Sequence, residues 1–386
     1  MTYLTMKGFN KRPRTFTITW TEKEDMSSGW TYSDSASWLT AWDPKFDDFF
    51  WYSAVRLNWS WQETATIEQS TPWVLDITQL GTLTSWDNVM IKFPVRGIKM
   101  SKSWSNVTLS ITDWLGRESE WFQYYAFQDT GDINANILET VATKPFYLWT
   151  YLWYNNSNVL KSWSWQTPTG NLRVGYSIDY AKANWTWYSI MWYYQRMYVN
   201  ALYIMKYGNP NIKTVIWPGY TWNSDGKVAT WWTNSQTNAT YWTTSNTSQI
   251  KLFWLEDRRG NAFEWLWWTF MKDSYLYVAL RDFVANPSPT QTRYKQTGFI
   301  WQTSSSYNLA TIHWNNKNMF LPWTQVRNNN YNTYYCSYTA RNSSGTYIGC
   351  CSSYYFDSKK AGIFNLFFTM SSSEYSWEIC ARLMYL

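Results

Sequence analysis

Histidine occurs once in 386 residues, at His313, and cysteine four times. So small a supply of imidazole and thiolate disfavours the enzyme classes and metal sites built on those groups. Charged residues make up only 16% of the chain, and 33 Lys and Arg against 27 Asp and Glu leave a net charge of +6 that is dispersed along its length. A nucleic-acid-binding chain would gather its basic residues into a patch or stripe, so that class is disfavoured too. Runs of about 18 or more apolar residues, the length a spanning helix needs, do not occur. The opening stretch MTYLTMKGFNKRPRTF has no apolar segment of the kind a Sec signal requires. The expectation is a chain with neither membrane insertion nor conventional secretion.

The deficit in glycine is the most informative of these absences. Glycine occurs 16 times, where average usage would place about 27 in this length. Tryptophan occurs 32 times. It falls in NWSWQ (Trp59, Trp61), TSWDN (Trp86), SWSWQTPTG (Trp163, Trp165), ANWTWYS (Trp185, Trp187), TWNSDG (Trp222) and TWWTNS (Trp231, Trp232). These are turn contexts rich in Ser, Asn, Thr and Asp, where the backbone often takes φ > 0 and glycine is the residue of choice. Together the two residue types fill about one position in eight, a glycine content suited to a loop-rich β protein. The pattern predicts a gene from a system that reads UGA as glycine, written here with tryptophan at those codons. Trp20 in the strand-like TFTITW, Trp30 and Trp265 are expected to be genuine. The competing reading is a Trp-rich carbohydrate binder with stacking platforms, but such sites need a few oriented aromatics rather than one at nearly every turn.

Residues 1–14 form a polar, basic lead-in containing Pro13. Thr15–Trp20 alternates like a strand, and a Ser/Asp/Thr-rich stretch, the acidic–aromatic DPKFDDFF (Asp43–Phe50) and strand-like pieces at Ser53–Leu57 and Trp73–Ile77 follow. From Asn88, VMIKFPVRGIKMS and SNVTLSITD are two period-two runs separated by a turn, which predicts a hairpin. After the aromatic, strand-like Phe146–Tyr154 come a polar loop over 155–170 and a short helix over Ser177–Ala183. Tyr188–Tyr207 carries the strongest helical pattern. Ile190, Tyr194, Met197, Ala201 and Met205 form one stripe, Gln195, Asn200 and Lys206 lie off it, and Gly208-Asn209-Pro210 ends it. The stripe reads as core packing rather than chemistry. Residues 209–249 are polar and irregular in pattern, and from Ile250 to Leu386 short strands alternate with Ser/Tyr/Asn loops.

No carboxylate pair offers an acid–base site. Asp47-Asp48 and Glu256-Asp257 are adjacent, and neighbouring side chains on a strand face opposite ways. Asp43 and Asp225 stand in turn contexts. Cys336, Cys350, Cys351 and Cys380 read as buried small apolar residues, with a Cys336–Cys350 disulfide as the alternative in an oxidising exterior.

Leu252–Leu266 reads LFWLEDRRGNAFEWL. With Trp254 as glycine it becomes G-L-x-D-x-x-G-N-x-x-E-W, which resembles the signature of the formylglycine-generating-enzyme-like branch of the C-type-lectin fold. The matching positions are Leu255, Asp257, Gly260, Asn261, Glu264 and Trp265. Gly260-Asn261 suits a tight turn, and Glu264 and Trp265 begin the strand that leaves it. AGIFNLFF (Ala361–Phe368), Ser371–Ser373 and the final ICARLMYL (Ile379–Leu386) are similar to the closing strands of that branch. There Arg382 matches the arginine of an I-G-A/F-R-L strand, and Cys380 stands at its glycine. The resemblance extends upstream to about residue 86, roughly three quarters of the chain. It implies an α+β fold, a C-type-lectin-like domain over 86–386 preceded by a β-containing attachment segment over 1–85. The order of pieces, including SDSASWLTAWDPKFDDFF, is similar to phage tail-fibre or receptor-binding proteins and to the variable proteins of diversity-generating retroelements.

What the resemblance implies is a binding protein of a virion tail or extracellular surface, which presents loops on a rigid scaffold. Its partners would be a host-cell surface protein or glycan and other virion tail proteins, and fibre tips of this kind are often homotrimeric. No catalytic residue, metal or cofactor is implied, although some members of the fold hold a structural Ca²⁺ and polar loops can supply its oxygens. Asn328–Tyr375 is rich in Tyr, Ser and Asn, the composition of antibody paratopes and of adenine-directed diversification of Asn codons. The expected ligand patch is Tyr354, Tyr355, Asp357, Asn365, Phe367, Ser372 and Tyr375, with Ile363, Phe364 and Leu366 as its supporting layer. Two other classes compete: a purely structural virion protein, and a cysteine-dependent oxidase like the namesake of the branch. For the oxidase, the four cysteines lack the spacing of the catalytic pair.

Overall fold

The computed structural model describes residues 13–386 apart from 27, 59–61, 68–86, 129–142, 212–214, 217–218, 222–225, 231–232, 235, 237, 246, 274, 280–293, 300–306, 316–317, 328–334, 336–338, 342–343 and 354–361. The fold is α+β, with strands predominating and antiparallel pairing prevalent. The expected strand at Trp73–Ile77 lies outside the described residues.

A four-stranded sheet has β1 (Thr15–Thr21) between β2 (Trp30–Asp34) and β7 (Asn106–Thr112), with β6 (Gly97–Ser103) beyond β7. Alternation along TFTITWT sends Phe16, Ile18 and Trp20 into the core. On the other face, the Thr17 and Thr19 hydroxyls pair with those of Ser110 and Thr108 at 2.8 and 3.0 Å. A six-stranded sheet runs β11 (Tyr188–Ile190), β23 (Leu383–Tyr385), β8 (Phe146–Trp149), β5 (Asn88–Phe93), β3 (Ser53–Leu57) and β4 (Glu63–Ile67). Strands from both sides of residue 86 therefore share these two sheets.

The expected hairpin forms between β6 and β7, but the first half of the run from Asn88 stands apart from it. The chain leaves the six-stranded sheet after Phe93 and enters the four-stranded sheet at Gly97, so only β6 and β7 form a hairpin. Pro94 stands at the break, because it has no N–H with which to continue a ladder.

The third sheet is ordered β16 (Tyr294–Phe299), β15 (Tyr275–Ala279), β14 (Phe263–Lys272), β20 (Thr346–Ser352), β21 (Leu366–Met370) and β19 (Thr339–Arg341). β22 (Ile379–Cys380) pairs in parallel with the start of β14. Short hairpins join β9 (Tyr154–Asn156) to β10 (Val159–Lys161), and β12 (Lys251–Leu252) to β13 (Leu255–Glu256). A longer one joins β17 (Tyr307–Asn315) to β18 (Asn318–Arg327).

Three α-helices are described: α1 (Lys45–Phe50), α2 (Val174–Lys182) and α3 (Tyr193–Tyr207). The expected helix over Tyr188–Tyr207 is corrected at its start, since Tyr188–Ile190 is taken by pairing with β23. Its polar residues are also buried, so α3 has no solvated face. Gln195 Nε2 donates to the Ala126 carbonyl at 2.8 Å, Asn200 Nδ2 to that of Ile363 at 2.9 Å, and Lys206 Nζ to both Asp47 oxygens at 2.6 Å. Gly208 closes the helix at φ 69, its N–H on the Ile204 carbonyl, and a Cβ there would come within 2.6 Å of the Trp30 indole. Within DPKFDDFF, Lys45–Phe50 forms α1, so Asp47 and Asp48 stand on a helix rather than on a strand. Asp47 is buried on Lys206 and the Tyr52 hydroxyl while Asp48 is exposed. One buried cluster runs from Phe16 to Leu386. No helix among the described residues is long and apolar enough to cross a membrane.

Candidate functional site

The expectation of a turn and a strand over Leu252–Leu266 agrees with the structure. Leu252 and Leu255 pair across the two-residue loop Phe253-Trp254, the chain bends at Gly260 (φ 80) and Asn261 (φ 65), and β14 leaves from Phe263. Gly260 is required twice over: its φ is left-handed, and a Cβ would meet the Tyr220 carbonyl oxygen at 2.6 Å. Its N–H donates to Ser353 Oγ at 2.9 Å. Asn261 holds the Val228 peptide from both sides, accepting its N–H at 2.9 Å and donating to its carbonyl at 3.0 Å. The same amide donates to Asp257 Oδ2 at 2.7 Å, which also accepts from Gln249 Nε2. Burial, with the neighbouring Glu256 charge second, pushes the Asp257 carboxyl well above the ordinary carboxylate range.

Below this bend lies a buried ionic cluster. Glu264 faces Arg382 Nε at 3.4 Å, Arg258 Nη1 at 3.6 Å and Arg196 Nη1 at 3.9 Å, with every side chain at most 1% exposed. The groups come from four elements: Arg196 from α3, Arg258 from the bend, Glu264 from β14 and Arg382 from the end of the chain. Arg382 also donates to the Trp149 and Thr150 carbonyls at 2.7 Å and to that of Glu256 at 2.5 Å. Burial drives Arg258 well below the usual guanidinium range, Arg196 adds repulsion, and Glu264 opposes both. Trp265, fully buried, donates its indole N–H to the Leu172 carbonyl at 3.3 Å. Leu255, Asp257, Gly260, Asn261, Glu264, Trp265 and Arg382 thus converge on one interior region that water does not reach. The arrangement ties strands and bends together through charged groups that are almost wholly out of solvent.

The expected ligand patch is placed only in part. Tyr354, Tyr355 and Asp357 lie outside the described residues. Asn365 and Phe367 are corrected: both are buried, at 0% and 9% exposure. β21 is an interior strand between β20 and β19, and Phe367 packs edge-on to Phe263 at 4.7 Å. Asn365 precedes the strand and donates to the Ser352 carbonyl at 3.3 Å. They join Ile363, Phe364 and Leu366, which are buried as the supporting layer was expected to be. Ile363 is held from below, its carbonyl accepting from Asn200 and Arg196.

Ser372 is partly exposed and Tyr375 is 59% exposed, both on the segment between β21 and β22. Ser371–Trp377 is docked rather than loose. The Ser376 carbonyl accepts the Asn171 N–H at 2.9 Å, and a Cβ on Gly170 would come within 2.2 Å of the Trp377 carbonyl oxygen. The Arg173 guanidinium stands 5.7 Å from the Tyr375 ring centre. Sequence reasoning missed Gly170, Asn171 and Arg173, about 200 residues away in the chain. The polar loop over 155–170 was legible, but not the segment that it meets.

The three described thiols of Cys350, Cys351 and Cys380 are free and buried, as the small-apolar reading expected. Burial pushes Cys351 up to about 11 and Cys350 and Cys380 up as well, the reverse of a nucleophile's environment. Cys336 lies outside the described residues. Among the described residues no group of three or more His, Cys, Asp or Glu is placed to hold a metal. No family model and no curated protein matches the chain.

Proposed function

We propose that the protein is a receptor-binding adhesin of a phage tail or a related extracellular surface, with the C-type-lectin-like fold of the formylglycine-generating-enzyme branch. Its C-terminal loops bind a protein or glycan on the host cell. One observation carries the reading: the Glu264–Arg382 cluster ties the start of β14 to the chain just beyond β22, while Ser371–Trp377, which leads into β22 and is docked at Ser376, presents Tyr375 to solvent. A rigid interior under an exposed, Tyr- and Ser-rich loop is the division of labour of a binding protein. The buried thiols, with pKa values pushed up, speak against the oxidase alternative. The Asn/Tyr/Ser composition of Asn328–Tyr375 is what a retroelement acting on adenines produces, and a reverse-transcriptase gene beside a near-copy of the 3′ end would be its signature.

The test is adsorption of the protein to candidate host cells with Tyr354, Tyr355 and Tyr375 replaced together by Ala. Loss of adsorption at unchanged melting temperature is expected. Adsorption that persists moves the site elsewhere, first to the polar segment 209–249.

A further inference from the structure

The backbone separates the tryptophans into two kinds. Among the described non-glycine residues, 15 have φ between 48 and 76, and six of these are Trp42, Trp51, Trp104, Trp121, Trp165 and Trp254. Most of the others are Asn, Asp or Ser, which tolerate the left-handed region; a bulky side chain there is an outlier. Tyrosine gives the contrast: it occurs 31 times against 32 for tryptophan, yet no described tyrosine has a positive φ. Aromatic bulk in loops therefore does not account for the pattern.

Each of the six occupies a slot whose geometry calls for glycine. Trp51 follows α1 as a left-handed cap, its N–H on the Asp47 carbonyl at 2.8 Å. Trp104 is the first of two loop residues between paired Ser103 and Asn106, and it is 92% exposed. Trp254 is the second residue of the Phe253-Trp254 hairpin loop, where both φ are positive as in a type I′ turn. Its indole N–H is buried with no acceptor among the described groups. Trp42, Trp121 and Trp165 stand in turns at φ 76, 70 and 67, with 43%, 62% and 62% of their surface in solvent. Trp20 and Trp265 are of the other kind: strand residues, buried, with indole N–H groups donating to Tyr335 Oη and the Leu172 carbonyl.

We propose that the protein as its own cell makes it carries glycine at positions 42, 51, 104, 121, 165 and 254, and tryptophan at 20 and 265. This goes beyond turn context, since Trp42, Trp51 and Trp121 are assigned on backbone geometry. It also changes the surface that meets a partner. Five large exposed indoles disappear from it, which leaves Trp38, Trp114, Trp185, Trp187 and Trp377 as the exposed described tryptophans that a stacking surface could use.

The gene itself is the first test. Positions 42, 51, 104, 121, 165 and 254 should share a codon that differs from the UGG expected at 20 and 265; UGG at all eight overturns the proposal. A second test uses stability of the recombinant chain. Trp104→Gly should melt a few degrees above Trp104→Ala, because only glycine relieves a left-handed φ. At the exposed Trp38, whose φ is not positive, the order should reverse. An Ala variant at 104 as stable as the Gly variant removes the structural basis of the assignment.

Discussion

Arg382 reaches three carbonyls on two segments of the chain while its Nε faces Glu264, so a single side chain near the C-terminus joins β8, β13 and β14. Replacing it with Met leaves Glu264 with only the longer approaches of Arg258 and Arg196 and strips three carbonyls of their donor. The expected loss is about 3–5 kcal/mol in urea unfolding, the usual cost of breaking a buried pair from one side. Arg382→Lys should recover little, because an ammonium cannot span the same fork of acceptors. The carboxyls nearby give a pH effect of definite sign. Burial raises Glu256, and raises Asp257 well above its ordinary range. A carboxyl whose folded pKa exceeds its unfolded value holds its proton longer in the folded state. Its stabilising contribution is complete below the unfolded value of about 4 and is lost as pH rises through the folded value. Asp257→Asn keeps an oxygen for Gln249 and removes the titration. The variant should therefore gain stability relative to the parent chain as pH rises from about 4 to 8; parallel stability curves would contradict this.

Between α1 and α3 the decisive contact is Lys206 with Asp47, at 2.6 Å and nearly out of water. Lys206→Met leaves the Asp47 carboxylate buried with only the Tyr52 hydroxyl, and should cost about 3–5 kcal/mol. Adding Asp47→Leu removes the stranded charge, so the double variant should be more stable than Lys206→Met alone, as urea midpoints would register. This pair also marks where pattern reading stops. The spacing of Ile190, Tyr194, Met197, Ala201 and Met205 was enough to find α3 and Gly208 to end it. Gln195, Asn200 and Lys206 looked solvated because partners such as Asp47 and Ile363 lie more than 150 residues away. The start of α3 was obscured for the same kind of reason: Tyr188–Ile190 has a helical period but finds its strand partner at the end of the chain. Likewise Pro94 was visible in VMIKFPVRGIKMS, yet only the separate sheets of β5 and β6 give it meaning as a crossing point.

At the scale of the whole molecule, the scaffold was more legible than the site. LEDRRGNAFEW carries its own turn chemistry, and Gly260 and Asn261 bend where that chemistry requires. The proposed ligand patch depended on which parts of the C-terminal region face out, and alternation could not show that Leu366–Phe368 of β21 lies between two strands and is buried on both faces. With Asn365 and Phe367 assigned to the interior, the described part of the proposed patch is Ser371–Trp377, which meets the distant Gly170 and Asn171. That contact gives a test that leaves every side chain of the segment intact. A Cβ at residue 170 would meet the Trp377 carbonyl oxygen at 2.2 Å and its carbon at 2.6 Å, distances that backbone atoms must move to relieve. Gly170→Ala should therefore displace the segment and, on the proposed function, weaken adsorption to host cells. Tyr375→Ala should weaken it by about 1–3 kcal/mol if that ring is a principal contact, with folding nearly unchanged. Gly170→Ala is expected to lose some stability as well, so binding is to be measured well below its melting temperature. Full adsorption by both variants would mean that the ligand is held by some other part of the surface.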